Sequence, residues 1–167
     1  DLVSLGVDSL VVLPADYTAL GQALKIAYNA GVKIVNADSK VVEDDQKFVS
    51  CFITADCYSG GYAIGKYLST KLARNAKIGA LNYPQLSVIA VRFDGLAAAL
   101  KDAGRSDVTI INKDATDLSA ISSYTEDMLM ANPDISAFVC LNDNTALSCA
   151  STCRQMGKKN IMVFGFD

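Results

Sequence analysis

Three neighbouring stretches decide the fold class: Lys77-Ile-Gly-Ala-Leu81, then Val88-Ile-Ala-Val-Arg-Phe-Asp-Gly-Leu-Ala-Ala-Ala-Leu-Lys-Asp-Ala103 stopped by Gly104, then Val108-Thr-Ile-Ile-Asn112. The first and third are short apolar runs of strand length. The middle one is rich in Ala and Leu, of helix length, and ends at a glycine. A strand, a helix and a strand joined by short, glycine-punctuated turns make a right-handed βαβ unit of a parallel sheet.

Working outward, the alternation continues. Toward the C-terminus, strands are predicted at Ser136–Leu141 and Asn160–Phe164. Helices fill Leu118–Ala131 and Asp143–Met156, with Asp117 and Asn142 placed as N-caps and Gly157 ending the last helix. Toward the N-terminus, Ser9-Leu-Val-Val-Leu13 is a β-branched run stopped by Pro14. Thr18–Ala30 carries a helical apolar face (Leu20, Ala23, Leu24, Ala27) ended by Gly31. Val32–Asn36 and Phe48–Ile53 are the next strands, followed by a helix from Cys57 to Ala73 whose Gly60, Gly61 and Gly65 allow close packing. The fold class is therefore α/β, with doubly wound parallel sheets. One pair of strands, Val32–Asn36 and Phe48–Ile53, is joined by a polar connector (Asp38–Lys47) instead of a helix. That break divides the chain into a partial first lobe (1–53), a hinge crossover (54–57) and a second lobe (58–167). Asp1–Leu5 reads as the tail of a helix capped by Gly6, and a buried strand reaches Asp167. Both ends read as cut, so the chain is expected to be a fragment.

Composition narrows the chemistry. Of 167 residues, 51% are apolar and 20% charged, enough apolar material for a sizeable core. Fifteen basic and eighteen acidic side chains give a net charge of −3 without a basic run, which argues against direct nucleic-acid contact. The longest uncharged stretch, Ile78–Val91, is interrupted by Asn82, Pro84 and Gln85 and is too short to span a membrane. Histidine is absent, which removes the usual base of Ser-His and Cys-His pairs and the commonest zinc ligand. The five cysteines follow no metal spacing and are expected to be mostly buried free thiols. Neither phosphate-cradling glycine motif occurs. No metal, no cofactor and no enzymatic activity are expected.

In open parallel sheets ligands gather at the carboxyl ends of strands. Asp38 follows one strand; Asp114, Thr116 and Asp117 follow another; Asn142 and Asp143 follow Ser136–Leu141; Asp167 closes the last. Arg92 lies one turn into the helix after Lys77–Leu81. Each has a plain structural alternative, Asn142 and Asp117 as N-caps and Arg92 as an ion-pair partner of Asp94 or Asp102. Together, carboxylates, an amide and a guanidinium suit a neutral polyhydroxyl ligand, because they pair with vicinal hydroxyls.

At these residues the sequence resembles the sugar-type periplasmic binding proteins, the ribose-binding-protein family. These share their fold with the effector domain of lactose-repressor-like regulators. The matching stretches are Gly6-Val-Asp-Ser-Leu-Val-Val-Leu-Pro14, Ala30-Gly-Val-Lys-Ile-Val35, Thr54-Ala-Asp-Cys-Tyr-Ser-Gly-Gly61, Arg92-Phe-Asp-Gly95, Ala131-Asn-Pro-Asp134, Leu141-Asn-Asp143 and Val163-Phe-Gly-Phe-Asp167. The resemblance implies two type I lobes, about 60 residues before Asp1 and a similar number after Asp167. It implies ligand contacts from Asp38, Arg92, Asn142 and Asp167, with Thr116 at the position of a stacking phenylalanine. Leu13 replaces a polar amide and Ser39 an arginine, so the pocket departs from a standard ribose site. The function implied is the solute-binding component of an ABC-type importer, closing on a sugar or similar small polar ligand and presenting it to a membrane permease outside the cytoplasm. The alternative is a cytoplasmic effector-sensing domain of a repressor. Lys71–Lys77 lacks the Gly-His-Arg sequence common in such repressors, which favours transport. An incomplete first lobe would expose apolar strand edges and allow the chain to associate with itself.

Overall fold

The computed structural model describes residues 2–166. The chain divides into two compact units, Asp1–Cys57 with Pro84–Val91, and Tyr58–Tyr83 with Arg92–Asp167. Asp167, one of the expected ligand residues, lies outside the described residues.

The first unit is a parallel sheet of β1 (Ser9–Val12), β2 (Lys33–Ala37) and β3 (Cys51–Ile53) in the order β1-β2-β3. Helix α1 (Gly21–Asn29) joins β1 to β2, and its buried Leu24 and Ala27 meet Val32, Ile34 and Val41 in a small core. Its end is set by Gly31 at φ +82°, a left-handed conformation that costs glycine nothing. The Val32 amide bonds the Ala27 carbonyl (3.1 Å) and the Gly31 amide the Tyr28 carbonyl (3.0 Å), the Schellman pattern. Gly104 and Gly157 end their helices with the same two bonds.

The connector between β2 and β3 contains a single 3₁₀ helix, Glu43–Phe48. Phe48 therefore belongs to that turn, and the strand expected from residue 48 starts at Cys51. Glu43, Asp44 and Asp45 occupy its first turn and Lys47 its last, which complements the helix dipole; the apolar Phe48-Val-Ser run misled the strand reading. At the N-terminus, residues 2–6 form turns, not a helix, and end at Gly6 with φ +74°.

The second unit has β4 (Lys77–Asn82), β5 (Thr109–Asp114), β6 (Ile135–Cys140) and β7 (Met162–Phe164), all parallel, in the order β5-β4-β6-β7. Helix α2 (Cys57–Lys71) precedes β4. Helices α3 (Ser87–Asp102), α4 (Ile121–Ala131) and α5 (Asp143–Gln155) are the crossovers. From β4 to β5 the chain moves one way across the sheet; from β5 to β6 and from β6 to β7 it moves the other. Right-handed connections then place α3 on one face and α4 and α5 on the opposite one. Consistent with two covered faces, successive residues Ile78, Gly79, Ala80 and Leu81 of β4, and Ala137 to Cys140 of β6, are buried. Helix α4 opens with a 3₁₀ turn, Leu118–Ala120, which Asp117 caps by accepting the Ser119 amide at 2.9 Å.

Helices α2 and α3 touch through backbone. A Cβ on Gly61 would overlap the Arg92 carbonyl oxygen, and one on Gly65 would crowd the Leu96 carbonyl and the Ala99 methyl. The glycines expected to permit close packing do so. The cysteines are free thiols, with Cys51 exposed and Cys57, Cys140, Cys149 and Cys153 buried.

Candidate functional site

Reversal of the chain's direction after β5 makes a topological switch point between β4 and β6. The helices that leave these two neighbouring strands go to opposite faces, and their starts open a crevice at the carboxyl edge. Arg92 lies in the helix after β4 and Asn142 stands two residues past the end of β6, so these two expected residues flank that crevice.

Arg92 is buried, 3% exposed. Its Nη1 donates to the Leu141 carbonyl (2.6 Å) and to the Phe166 carbonyl (2.9 Å), and the guanidinium carbon lies 4.3 Å from the centroid of the Phe166 ring. One cation thereby ties the end of β6 to the segment after β7, by charge-assisted bonds and a face-on aromatic contact. The ring occupies the space a Cβ on Gly60 would need, so it is held between the α2 backbone and the guanidinium. Because Leu141 immediately precedes Asn142, Arg92 braces the chain beside Asn142 against the segment that reaches Phe166.

Asn142 caps α5. Its Oδ1 accepts the Thr145 amide at 3.0 Å, and Thr145 Oγ1 accepts the Asn142 amide at 3.1 Å, a reciprocal capping box. The cap fixes the side chain through its oxygen, and the Nδ2 donors have no acceptor among the described residues. Asp143 is exposed in the first turn of α5 and packs beside Gly165.

Thr116 is exposed in the loop after β5, beyond the last rung of the β4–β5 ladder, where the Ala115 amide bonds the Asn82 carbonyl at 2.7 Å. It is therefore at the same sheet edge but on the other side of β4 from Asn142. Asp117 beside it is held acidic by the Ser119 hydroxyl and amide.

In the first unit Asp38 follows β2 with φ +63°, a left-handed turn that Asp tolerates better than most residues. Its amide bonds the Ile53 carbonyl at 2.8 Å and its side chain is exposed. The turn is built by Asn36, 1% exposed, whose Nδ2 donates to the Ser39 carbonyl (2.9 Å) and whose Oδ1 accepts the Val41 amide (3.0 Å). Ser39 points inward: its Oγ accepts the Ser87 amide at 2.9 Å at the start of α3. The position where the resemblance places an arginine is thus a helix-capping serine. Leu13, after β1, is 65% exposed.

Two contributors were not singled out from sequence alone: Asn36, hidden as an ordinary strand residue, and Phe166, whose signal was an aromatic side chain beside a glycine at the end of a buried strand.

The whole chain, residues 1–167, matches the family model described as a periplasmic binding protein domain. It is 29% identical to the ribose import binding protein of Bacillus subtilis over 170 residues, covering 100% of this chain and 53% of that protein. It is also 29% identical to the D-ribose/D-allose-binding protein of Pseudomonas aeruginosa, covering 99% of this chain and 53% of that one. Among solved structures, an ABC transporter solute-binding protein of Mycobacterium smegmatis with bound glycerol superposes with a TM-score of 0.88 at 27% identity, covering 100% of this chain and 57% of that chain. One from Agrobacterium vitis with bound D-fucose gives 0.84 at 26%, covering 93% and 54%. The chain spans about half the length of the curated relatives it matches. Its parallel sheets and helical crossovers are those of the type I fold, and the chain belongs to the periplasmic binding protein domain family.

Proposed function

We propose that this chain is part of the solute-binding component of an ABC-type importer, one that takes a sugar or a similar small polyhydroxyl compound. The observation that carries the reading is the Arg92 clamp at the switch point. It ties the backbone beside Asn142, whose Nδ2 has no acceptor among the described residues, to the segment that reaches Phe166. In this reading the Asn142 amide and the Asp167 carboxylate together supply the donors and acceptors that vicinal hydroxyls need. The ligands named for the relatives (ribose, D-ribose or D-allose, D-fucose, glycerol) are all hydroxyl-rich and support the same class.

In this reading Asp38 contributes from the first unit and Arg92, Thr116, Asn142 and Asp167 from the second. Residues 54–57 act as a hinge crossover between lobes that begin at 1–53 and 58–167. Ligand stabilises the closed form by the contacts that only that form makes. The protein works outside the cytoplasm, delivers its cargo to a membrane permease and performs no turnover; the relatives are named as binding proteins. The 167-residue chain also associates with itself along β1, whose partner among the described strands is β2 alone and whose Val11 is 69% exposed.

Titration calorimetry of the full-length protein against pentoses, hexoses, deoxyhexoses and small polyols tests the central reading. Saturable heat with at least one is expected; no binding across the panel overturns it. Sedimentation of the 167-residue chain tests self-association, which a monomer at all concentrations excludes.

A further inference from the structure

The first unit contains a cavity of about 250 Å³ lined by Tyr17, Val41, Phe52, Ala55, Val88 and Val91, with Lys40, Thr54 and Ser87 completing its wall. Its lining comes from the loops after β1, β2 and β3 and from the first turn of α3, so it opens at the carboxyl edge of the three-stranded sheet. Most of the wall is hydrocarbon or aromatic ring. An apolar cavity of about 150 Å³ accommodates benzene. This one, open to solvent on one side, has room for a single ring or a branched chain.

Lys40 is the one charged residue in the wall. Its Nζ lies 5.5 Å from the centroid of the Phe52 ring, which itself lines the cavity, so the cation is at the apolar surface. No carboxylate pairs with it among the described residues, where the ion pairs are Lys77–Asp134 and Arg105–Asp107. Its backbone is fixed: the Lys40 amide donates to Ser87 Oγ at 2.7 Å, and that hydroxyl lies 3.1 Å from Ser39 Oγ. An unpaired cation on an anchored backbone beside a ring-sized apolar cavity is a recognition pattern for an anion with an apolar body.

We infer that this cavity binds a small carboxylate with a ring-sized or branched apolar body, Lys40 taking the carboxylate and Phe52, Val88 and Val91 the body. The site is contained in the first unit and does not depend on the sugar reading of the Asn142 rim.

The test is NMR titration of the full chain with three probes: benzoate, acetate (charge without body) and benzyl alcohol (body without charge). Benzoate is expected to shift the amides of the lining residues and to bind at least tenfold more tightly than either control. Lys40→Met is expected to remove the preference of benzoate over benzyl alcohol while benzyl alcohol binding persists, which shows that the cavity remains formed. Val91→Phe, at a half-exposed helix position, is expected to weaken both ring-bearing probes. Benzoate binding no tighter than acetate or benzyl alcohol, shifts confined to other residues, or a preference unaltered in Lys40→Met each overturn the inference. The sugar titration succeeds or fails independently of these results.

Discussion

Arg92 is a structural tie, and in the proposed reading it is a ligand contact as well. Its Nη1 serves the Leu141 and Phe166 carbonyls, and its face covers the Phe166 ring. Arg92→Ala leaves two inward carbonyls without their cation and is expected to destabilise the fold by about 3 kcal/mol in urea unfolding. In the full-length protein it is expected to weaken ligand binding by about 2 kcal/mol or more. Arg92→Lys, which lacks the planar fork, should recover only part of either loss. An unchanged unfolding midpoint in Arg92→Ala would refute the tie. Cys149 offers a separate test. Its hydrogen bond to Cys140, with burial adding to it, pushes the thiol up to about 12 from an ordinary value of 9.0. The unfolded thiol ionises first, so this contribution is whole below about pH 9 and is lost as pH rises toward 12. The urea midpoint is expected to fall above pH 9, and to fall less in Cys149→Val. Cys51, the exposed thiol, should react with a disulfide reagent before the four buried ones. Sequence showed Arg92 and the buried thiols as candidates. It did not show that the arginine's partners are main-chain oxygens, because carbonyls carry no residue-type signal.

Between elements, the decisive contact is the approach of α2 to α3. Gly61 faces the Arg92 carbonyl so closely that a methyl group has no room, and Gly95 of α3 likewise faces the Tyr58 carbonyl. Gly61→Ala must push the helices apart and so displace Arg92 from the strand ends. It is expected to cost about 2 kcal/mol or more, the usual penalty of overpacking. Gly104→Ala, by contrast, meets no atoms and suffers only from its φ of +67°. A Gly61→Ala midpoint equal to that of the parent would show that the helices yield freely. The sequence revealed helix lengths, caps and the glycine pattern of this pair. It misplaced the start of β3, because Phe48 and Val49 at the end of the 3₁₀ turn are as apolar as the strand that follows, and only hydrogen bonding separates them from it.

Across the whole molecule the two units differ in core. The first buries Leu24, Ala27, Val32, Ile34 and Val41 beneath a sheet whose β1 is half-exposed. The second buries β4 and β6 on both faces, with Phe138, Ile78, Leu81, Leu96, Ile121 and Leu129 almost entirely out of water. Opening free energies follow buried apolar contact. Amide hydrogen exchange is therefore expected to be slowest in β4 and β6 and faster by at least tenfold in β1. Equal protection of β1 and β6 would refute this difference in local stability.

The order of strands and helices, the Schellman glycines, the caps at Asp117 and Asn142 and the polar break before β3 were all written in the sequence, because each depends on neighbours within a few residues. The spatial order β5-β4-β6-β7 was not. It places Arg92 and Asn142 across one crevice although fifty positions separate them along the chain. Strand pairing is selected by packing among distant segments, and that selection alone turned residues at strand ends into a rim.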